Sequence, residues 1–134
     1  MSENVKEHTR LSRLSKAKRE AISKAIHEDV IANEGFLQPG LTAQQVARKH
    51  GFSPQDMSAV TAVYFGGNFS MLLQRLRVSY ACRLLTNKSY SGVNCDVICK
   101  MSGFANKQSL YNAFHRQLGM TPVKYRLKNF LENE

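Results

Sequence analysis

Residues 102–122 read SGFANKQSLYNAFHRQLGMTP. The stretch has a glycine ahead of an amphipathic run, and a second glycine followed by Thr-Pro at its end. Glycine commonly follows the last residue of a helix, and proline often occupies the first turn of the next helix. The apolar residues between the two glycines recur at helical spacing. The stretch therefore predicts a helix from about Lys107 to Leu118, set between two turns.

A similar pattern occurs earlier in the chain, which indicates an internal repeat. VARKHGF at 46–52 aligns with ICKMSGF at 98–104, and the apolar positions agree through the following helix. Each copy is predicted to be a short helix, a glycine turn and a second amphipathic helix, with Thr42 and Ser53 as N-caps in the first copy. Such a unit can present its second helix to the major groove of DNA, although helical hairpins also occur in proteins that do not bind DNA. The repetition favours DNA binding.

The charge balance points to the same kind of partner. The 134 residues include 19 Lys+Arg against 10 Asp+Glu, a net charge of +9, which is typical of chains that bind nucleic acid or an anionic membrane surface. No apolar run approaches the ~20 residues of a membrane span, and the N-terminus lacks the apolar segment of a secretory signal. Three cysteines without a paired framework fit free thiols in the cytoplasm. We therefore expect a cytoplasmic protein with no membrane partner.

The spacing of apolar and turn residues predicts an all-α fold of about seven helices, in which two helix-turn-helix subdomains are joined by a long linker helix. Residues 1–15 lack helical periodicity and are predicted to form a basic, flexible arm. The domain over 16–134 is predicted to divide into a first lobe over 16–69, the linker helix over 70–86 and a second lobe over 87–134.

In these residues the chain resembles the DNA-binding domain of the AraC/XylS family of bacterial transcription regulators. The resemblance covers roughly residues 18–127, and its most specific part is ICKMSGF…SLYNAFHRQLGMTPVKYR. It implies two motifs that read successive major-groove segments of double-stranded DNA, about 34 Å apart on one face of the duplex. Family members usually carry a separate sensor domain, for which the 134 residues leave no room. The chain is therefore expected to resemble the stand-alone members of the family, which bind DNA as monomers. No cofactor is expected.

The helix over 107–118 has an apolar side, which should face the core, and a polar side. The apolar side carries Leu110, Ala113, Phe114 and Leu118. The base-reading positions of the family carry over to Lys107, Gln108, Tyr111 and Asn112. Gln and Asn can form two hydrogen bonds with adenine, and Lys can reach the acceptors of guanine. Phosphate contacts are expected from Asn106, His115 and Arg116. The alternative interpretation is an ordinary solvated face.

The equivalent helix of the first copy, SPQDMSAVTAVYFGG, departs from the family pattern because it contains no Lys or Arg. It is predicted to expose Asp56, which would repel phosphate, together with Ala59, Ala62 and Val63. Only two residues carry over as DNA contacts, Gln55 and Ser58. The face formed by Ala59, Ala62 and Val63 has two interpretations: weak contact with thymine methyl groups, or a docking face for RNA polymerase or a separate sensor or regulator protein.

The charge is also unequal between the copies. Residues 69–134 hold ten basic residues against three acidic ones, whereas 36–68 hold two against one. The second lobe is therefore expected to dominate DNA binding. An enzymatic function is not expected: some relatives attach this domain to a zinc-thiolate alkyl-transfer module, which needs four clustered cysteines. Cys95 and Cys99, one helical turn apart, are more simply explained as core residues, and we predict neither a catalytic residue nor a metal site.

Overall fold

The computed structural model describes residues 3–132, and over that range it contains eight α-helices and no strand. The all-α prediction is confirmed, with one helix more than the expected seven. The helices are α1 (Glu3–Ser12), α2 (Lys16–Ile26), α3 (Ala43–His50), α4 (Pro54–Tyr64), α5 (Phe69–Leu85), α6 (Cys95–Met101), α7 (Lys107–Leu118) and α8 (Pro122–Glu132). Helix α2 continues as π-helical turns over His27–Ala32, and short 3₁₀ turns lie at Gly35–Leu37 and Lys88–Tyr90.

The additional helix corrects the prediction of a flexible arm over residues 1–15, of which Met1 and Ser2 lie outside the described residues. Helix α1 packs against α4, and Leu11 is buried, with 7% of its surface exposed. The Nε atom of Arg10 lies 2.9 Å from the Oδ1 atom of Asp56. These contacts join residues more than 40 positions apart in the chain. The periodicity of a short segment therefore could not reveal them.

Contacts divide the chain into two compact units. The first unit combines residues up to Gly35 with Leu41–Leu73, and the second combines Phe36–Gly40 with residues from Gln74 onward. Helix α5 thus contributes its first residues to the first unit and its remainder to the second. The predicted division treated this helix as a separate linker, whereas most of it belongs to the core of the second unit.

In the first unit, α3 begins and ends, and α4 begins, where the local signals predict. The Oγ1 atom of Thr42 accepts a hydrogen bond from the backbone N–H of Gln45, and the Gln45 side chain accepts one from the backbone N–H of Thr42. Gly51 ends α3 in the left-handed conformation at φ 73°. The Ser53 side chain caps α4. Both N-cap predictions are confirmed. The buried apolar residues of this unit include Leu11, Ile22, Ala25, Ile26, Val30, Val46, Ala47, Met57, Ala59 and Val60.

The end of α3 is fixed to the π-helical turns by an acidic residue. The Asp29 carboxylate lies 2.8 Å from Nε2 of His50 and 3.3 Å from Nζ of Lys49. The hydrogen bond with His50, together with that of Lys49 and the charges of both groups, outweighs burial and lowers the pKa of Asp29. These contacts hold the first helix of the first motif against the helix that precedes it.

The second unit packs α6 and α7 against α5 around a continuous apolar core. This core consists of Val78, Ala81, Leu84, Leu85, Ile98, Cys99, Phe104, Leu110, Ala113 and Phe114. The segment over Phe36–Gly40 is bound to this unit by the buried Arg77, which donates to the carbonyl oxygens of Phe36 (2.7 Å) and Gln38 (2.8 Å). Gly103 has φ 91°, and a Cβ atom there would lie 2.5 Å from the Phe36 carbonyl oxygen. Only glycine fits this turn between α6 and α7.

Candidate nucleic-acid interface

Helix α7 is the second helix of the second motif, and both of its ends are fixed by local structure. Asn106 is its N-cap, and its Oδ1 atom accepts a hydrogen bond of 2.9 Å from the backbone N–H of Ser109. Gly119 ends the helix at φ 69°. Asn106 was predicted to contact phosphate. The cap uses only its oxygen, so its side-chain NH₂ group can still donate to a phosphate.

One side of α7 holds the helix in the second unit. Leu110 and Phe114 are fully buried and Ala113 is 3% exposed. The rings of Phe114 and Tyr125 pack edge to face, with their centroids 5.8 Å apart. The prediction that Leu118 also faces the core is wrong, since 37% of its surface is exposed. It is the last residue of the helix and is not among the residues of the apolar core of the second unit.

The opposite side of α7 presents a group of exposed polar side chains. The Nε2 atom of Gln108 donates a hydrogen bond of 2.8 Å to Oδ1 of Asn112, one turn further along. His115 and Arg116 are exposed as well, and Tyr111 is half-buried. The core contacts of the helix therefore aim donors and acceptors of the kind that recognise base edges toward solvent.

Lys107 lies in the first turn of α7, where an acidic neighbour that the sequence did not single out contacts it. Its Nζ atom is 3.6 Å from Oδ1 of Asp96 on α6 and 5.3 Å from the centroid of the Tyr111 ring. Lys107 and Asp96 are both about 60% exposed (59% and 61%), so their ion pair is weak in water. Lys107 can therefore leave Asp96 for a stronger acceptor.

The guanidinium group of Arg116 is oriented by a residue of α5. Its Nη1 atom donates to Oε1 of Gln74 at 2.8 Å. An arginine has five N–H donors, so one hydrogen bond leaves others available to a phosphate. Arg126, which belongs to the YR pair of the family-like signature, instead donates to the carbonyl oxygens of Val93 and Tyr90 and holds a turn of the second unit.

In the first motif, Gln55 and Ser58 are exposed on α4, as predicted. The prediction that Asp56 and Ala59 are exposed is wrong: 6% of the surface of Asp56 is exposed and none of that of Ala59. Ala62 and Val63 are half-buried. Because α1 packs against α4, the surface expected to be a bare docking face is largely covered. The Oγ atom of Ser58 also donates to Oε1 of Glu7 on α1, at 3.3 Å.

Asp56 does not act as the expected source of repulsion toward phosphate. Its carboxylate lies 2.9 Å from Arg10 Nε and 3.5 Å from Lys18 Nζ. Burial acts to raise the pKa of Asp56, but hydrogen bonds from Arg10 and Ser53 and the charges of Arg10 and Lys18 outweigh it and lower the pKa from its ordinary value. The carboxylate is thus ionised at neutral pH, and two cations of its own unit offset its charge.

The three cysteines are free, with Cys99 buried and Cys82 and Cys95 half-buried. Burial raises the pKa of Cys82 and of Cys99, so both are protonated thiols at neutral pH. Among the residues that the structure describes, no group of three or more His, Cys, Asp or Glu side chains could hold a metal ion. Nor is any helix within residues 3–132 long and apolar enough to cross a bilayer.

A short capped helix, a glycine turn and a second helix are present twice, which is the arrangement of the helix-turn-helix class of DNA-binding domains, and the second helix of the later copy has an exposed polar face. The sequence profile of the helix-turn-helix domain family matches residues 46–128, well over half of the chain. The chain belongs to the AraC-type branch of this class, whose members are DNA-binding domains of transcription regulators.

Solved structures agree with this assignment. The chain is similar to the C-terminal domain of AraT, a response regulator from Geobacillus stearothermophilus, with 26% identity and a TM-score of 0.66; the match covers 87% of this chain and 88% of that one. It is also similar to a protein of unknown function from Listeria innocua, with 25% identity, a TM-score of 0.63 and coverage of 77% and 96%. Comparison with the curated proteins gives no match.

Proposed function

We propose that the chain is a sequence-specific regulator that binds double-stranded DNA and places α4 and α7 in successive segments of the major groove, with α7 as the dominant reader. The observation that carries this proposal is the polar side of α7. Leu110 and Phe114 hold the helix from one side, while Gln108 and Asn112 are exposed on the other and bonded to each other. A rigid helix with a pre-aligned pair of amides is suited to reading base edges.

The roles of the individual side chains follow from their chemistry. Gln108 and Asn112 each offer one donor and one acceptor, which matches the exposed edge of adenine. Lys107 exchanges its exposed ion pair with Asp96 for the acceptor atoms of guanine, and Tyr111 supports its side chain. Arg116 donates to phosphate from the position in which Gln74 holds it.

The first motif contributes less sequence information in this proposal. Gln55 and Ser58 are its exposed polar contacts, and α4 has no Lys or Arg. One chain carries both motifs, so a monomer suffices for binding, and the domain acts through DNA binding rather than catalysis. A protein partner docked on α4 is disfavoured, because Ala59, one of the residues expected to form the docking face, is already buried.

Selection of bound duplexes from a random DNA pool tests the proposal. We expect one strongly specified block of base pairs, read by α7, and a second, weakly specified block about one helical turn away. Recovery of sequences without any common block would overturn sequence-specific binding. Two blocks of equal strength would overturn the dominance of α7.

The phosphate role of Arg116 has a separate readout. Arg116→Ala should weaken binding to the selected duplex and to random duplexes alike. It should also make the negative slope of log K against log salt shallower by about 0.9, which is the contribution of one phosphate contact. Loss of binding to the selected duplex alone would instead assign Arg116 to base recognition.

A further inference from the structure

The contact between α1 and α4 forms a charged groove beside the first recognition helix. One wall is a stripe of α1 at helical spacing, and the other is the exposed edge of α4. The side chains that line it include Lys6, Glu7, Arg10, Arg13, Gln55 and Ser58. We propose that this stripe of α1 binds the phosphate backbone of the same DNA that α4 contacts, and so supplies the cations that the first recognition helix lacks. This inference rests on the proposed function.

Of the cationic side chains that α1 contributes to the groove, only Arg10 takes part in its docking on α4. Leu11 is buried and Glu7 is half-buried. Lys6 and Arg13 are exposed and line the groove. Neither forms an ion pair with any side chain described between residues 5 and 130. Two uncompensated cations therefore lie beside Gln55, where α4 is predicted to contact DNA.

Helix dimensions explain why α1 would meet phosphate rather than bases. The major groove is about 12 Å wide and admits one helix, and two packed helices have axes about 8–10 Å apart. When α4 lies in the groove, a helix packed against it must lie over the bordering strand. That strand presents phosphates, and the stripe on α1 carries cations. The charges are complementary.

Arg10 has a different task from its two neighbours on the stripe. It pairs with Asp56 at 2.9 Å, and Lys18 lies 3.5 Å from the same carboxylate. This pairing orients α1 on α4 and offsets the buried negative charge. Lys6 and Arg13 are thus the members of the stripe that remain available to DNA.

The test measures the salt dependence of binding for Lys6→Gln, Arg13→Gln and the double variant. Each single change should make the negative slope of log K against log salt shallower by about 0.9. It should also weaken binding by about eightfold at 0.1 M salt, on selected and random duplexes alike. The matched control is Lys24→Gln, an exposed lysine of the same unit that does not line the groove. Its slope should stay at the wild-type value.

A second variant tests whether the charge of the groove governs its attraction for DNA. Among the described residues that line the groove, Glu7 is the acidic one, so Glu7→Gln should tighten binding to all duplexes. Unchanged slopes for Lys6→Gln and Arg13→Gln would overturn the inference, and so would tighter binding by these variants. Tighter binding would mean that α1 hinders the access of DNA to α4. If wild-type protein still selects a specific sequence in that case, the proposed function stands and only the role of α1 fails.

Discussion

The hydrogen bond between Gln108 and Asn112 allows a sharp test of the reading face of α7. Both side chains are exposed, and the bond of 2.8 Å spans one helical turn. Such a pair contributes about 0.2–0.5 kcal/mol to a helix, so alanine at either position should leave the fold almost as stable as wild type. A loss of DNA binding in these variants would therefore report lost contacts with DNA rather than unfolding.

The expected loss follows from the chemistry of base recognition. A side chain that forms two hydrogen bonds with a base contributes about 1–3 kcal/mol of discrimination, so each of Gln108→Ala and Asn112→Ala should weaken binding to the selected duplex by about 5- to 150-fold. Because the two amides are bonded to each other, their effects should not add. The double variant should cost less than the sum of the single changes, by about 0.5 kcal/mol or more.

The assay is a fluorescence-anisotropy titration of a selected duplex and a random duplex at one fixed salt concentration. Gln117→Ala is the matched control: it removes the same kind of exposed side chain from the same helix, away from Gln108 and Asn112 on the helical wheel. It should bind as wild type does. If Gln108→Ala and Asn112→Ala also bind both duplexes as wild type does, α7 does not read bases through this pair.

Three further predictions follow from individual contacts. Asp96→Asn frees Lys107 from a carboxylate 3.6 Å away and removes a negative charge near DNA, so titrations should show tighter binding to every duplex; weaker binding would mean that Asp96 positions Lys107. Gly103→Ala forces φ 91° on a side chain whose Cβ would lie 2.5 Å from a carbonyl oxygen. Backbone strain alone costs about 1–3 kcal/mol, and the close contact should make the loss of unfolding free energy larger than that. Gly119→Ala, which has open space around its Cβ atom, should lower the free energy of unfolding by less. Asp56 has a lowered pKa, so the unfolded chain binds its proton first on acidification. The stability from Asp56 is present above about pH 4 and lost as pH falls through its native pKa. Denaturant titrations should show a smaller loss between pH 5 and pH 3 in Asp56→Asn than in wild type.

The sequence predicted the features that depend on neighbouring residues. The caps at Thr42 and Ser53 and the left-handed glycine at position 51 are set by side chains within a few positions of each helix end. The buried face of α7 follows from helical spacing alone, except at Leu118. Residues 1–15 lack helical periodicity, so the sequence did not predict α1, which is held in place by contacts with α4.

The contacts that position side chains in the candidate interface were not predictable either, because they join residues that are distant in the sequence. Asp96 is near Lys107, and Gln74 near Arg116, only because α5, α6 and α7 pack together. The partners of Asp56 were not predictable either, because the sequence pattern favoured an exposed aspartate. Since Asp56 is buried, its charge requires partners, and Arg10 and Lys18 supply them.

The specificity of binding and its salt dependence should come from different parts of the chain. The contribution of α7 comes largely from hydrogen bonds with bases, which differ between sequences, whereas that of α1 comes from phosphate contacts, which do not. Rising salt weakens phosphate contacts on all sequences through the counterions that binding releases. The ratio of affinities for selected and random duplexes should therefore change little between 0.05 and 0.2 M salt, while both affinities fall steeply. If the ratio itself collapsed over this range, the discrimination would come from charge rather than from Gln108 and Asn112, and α7 would not be the reader.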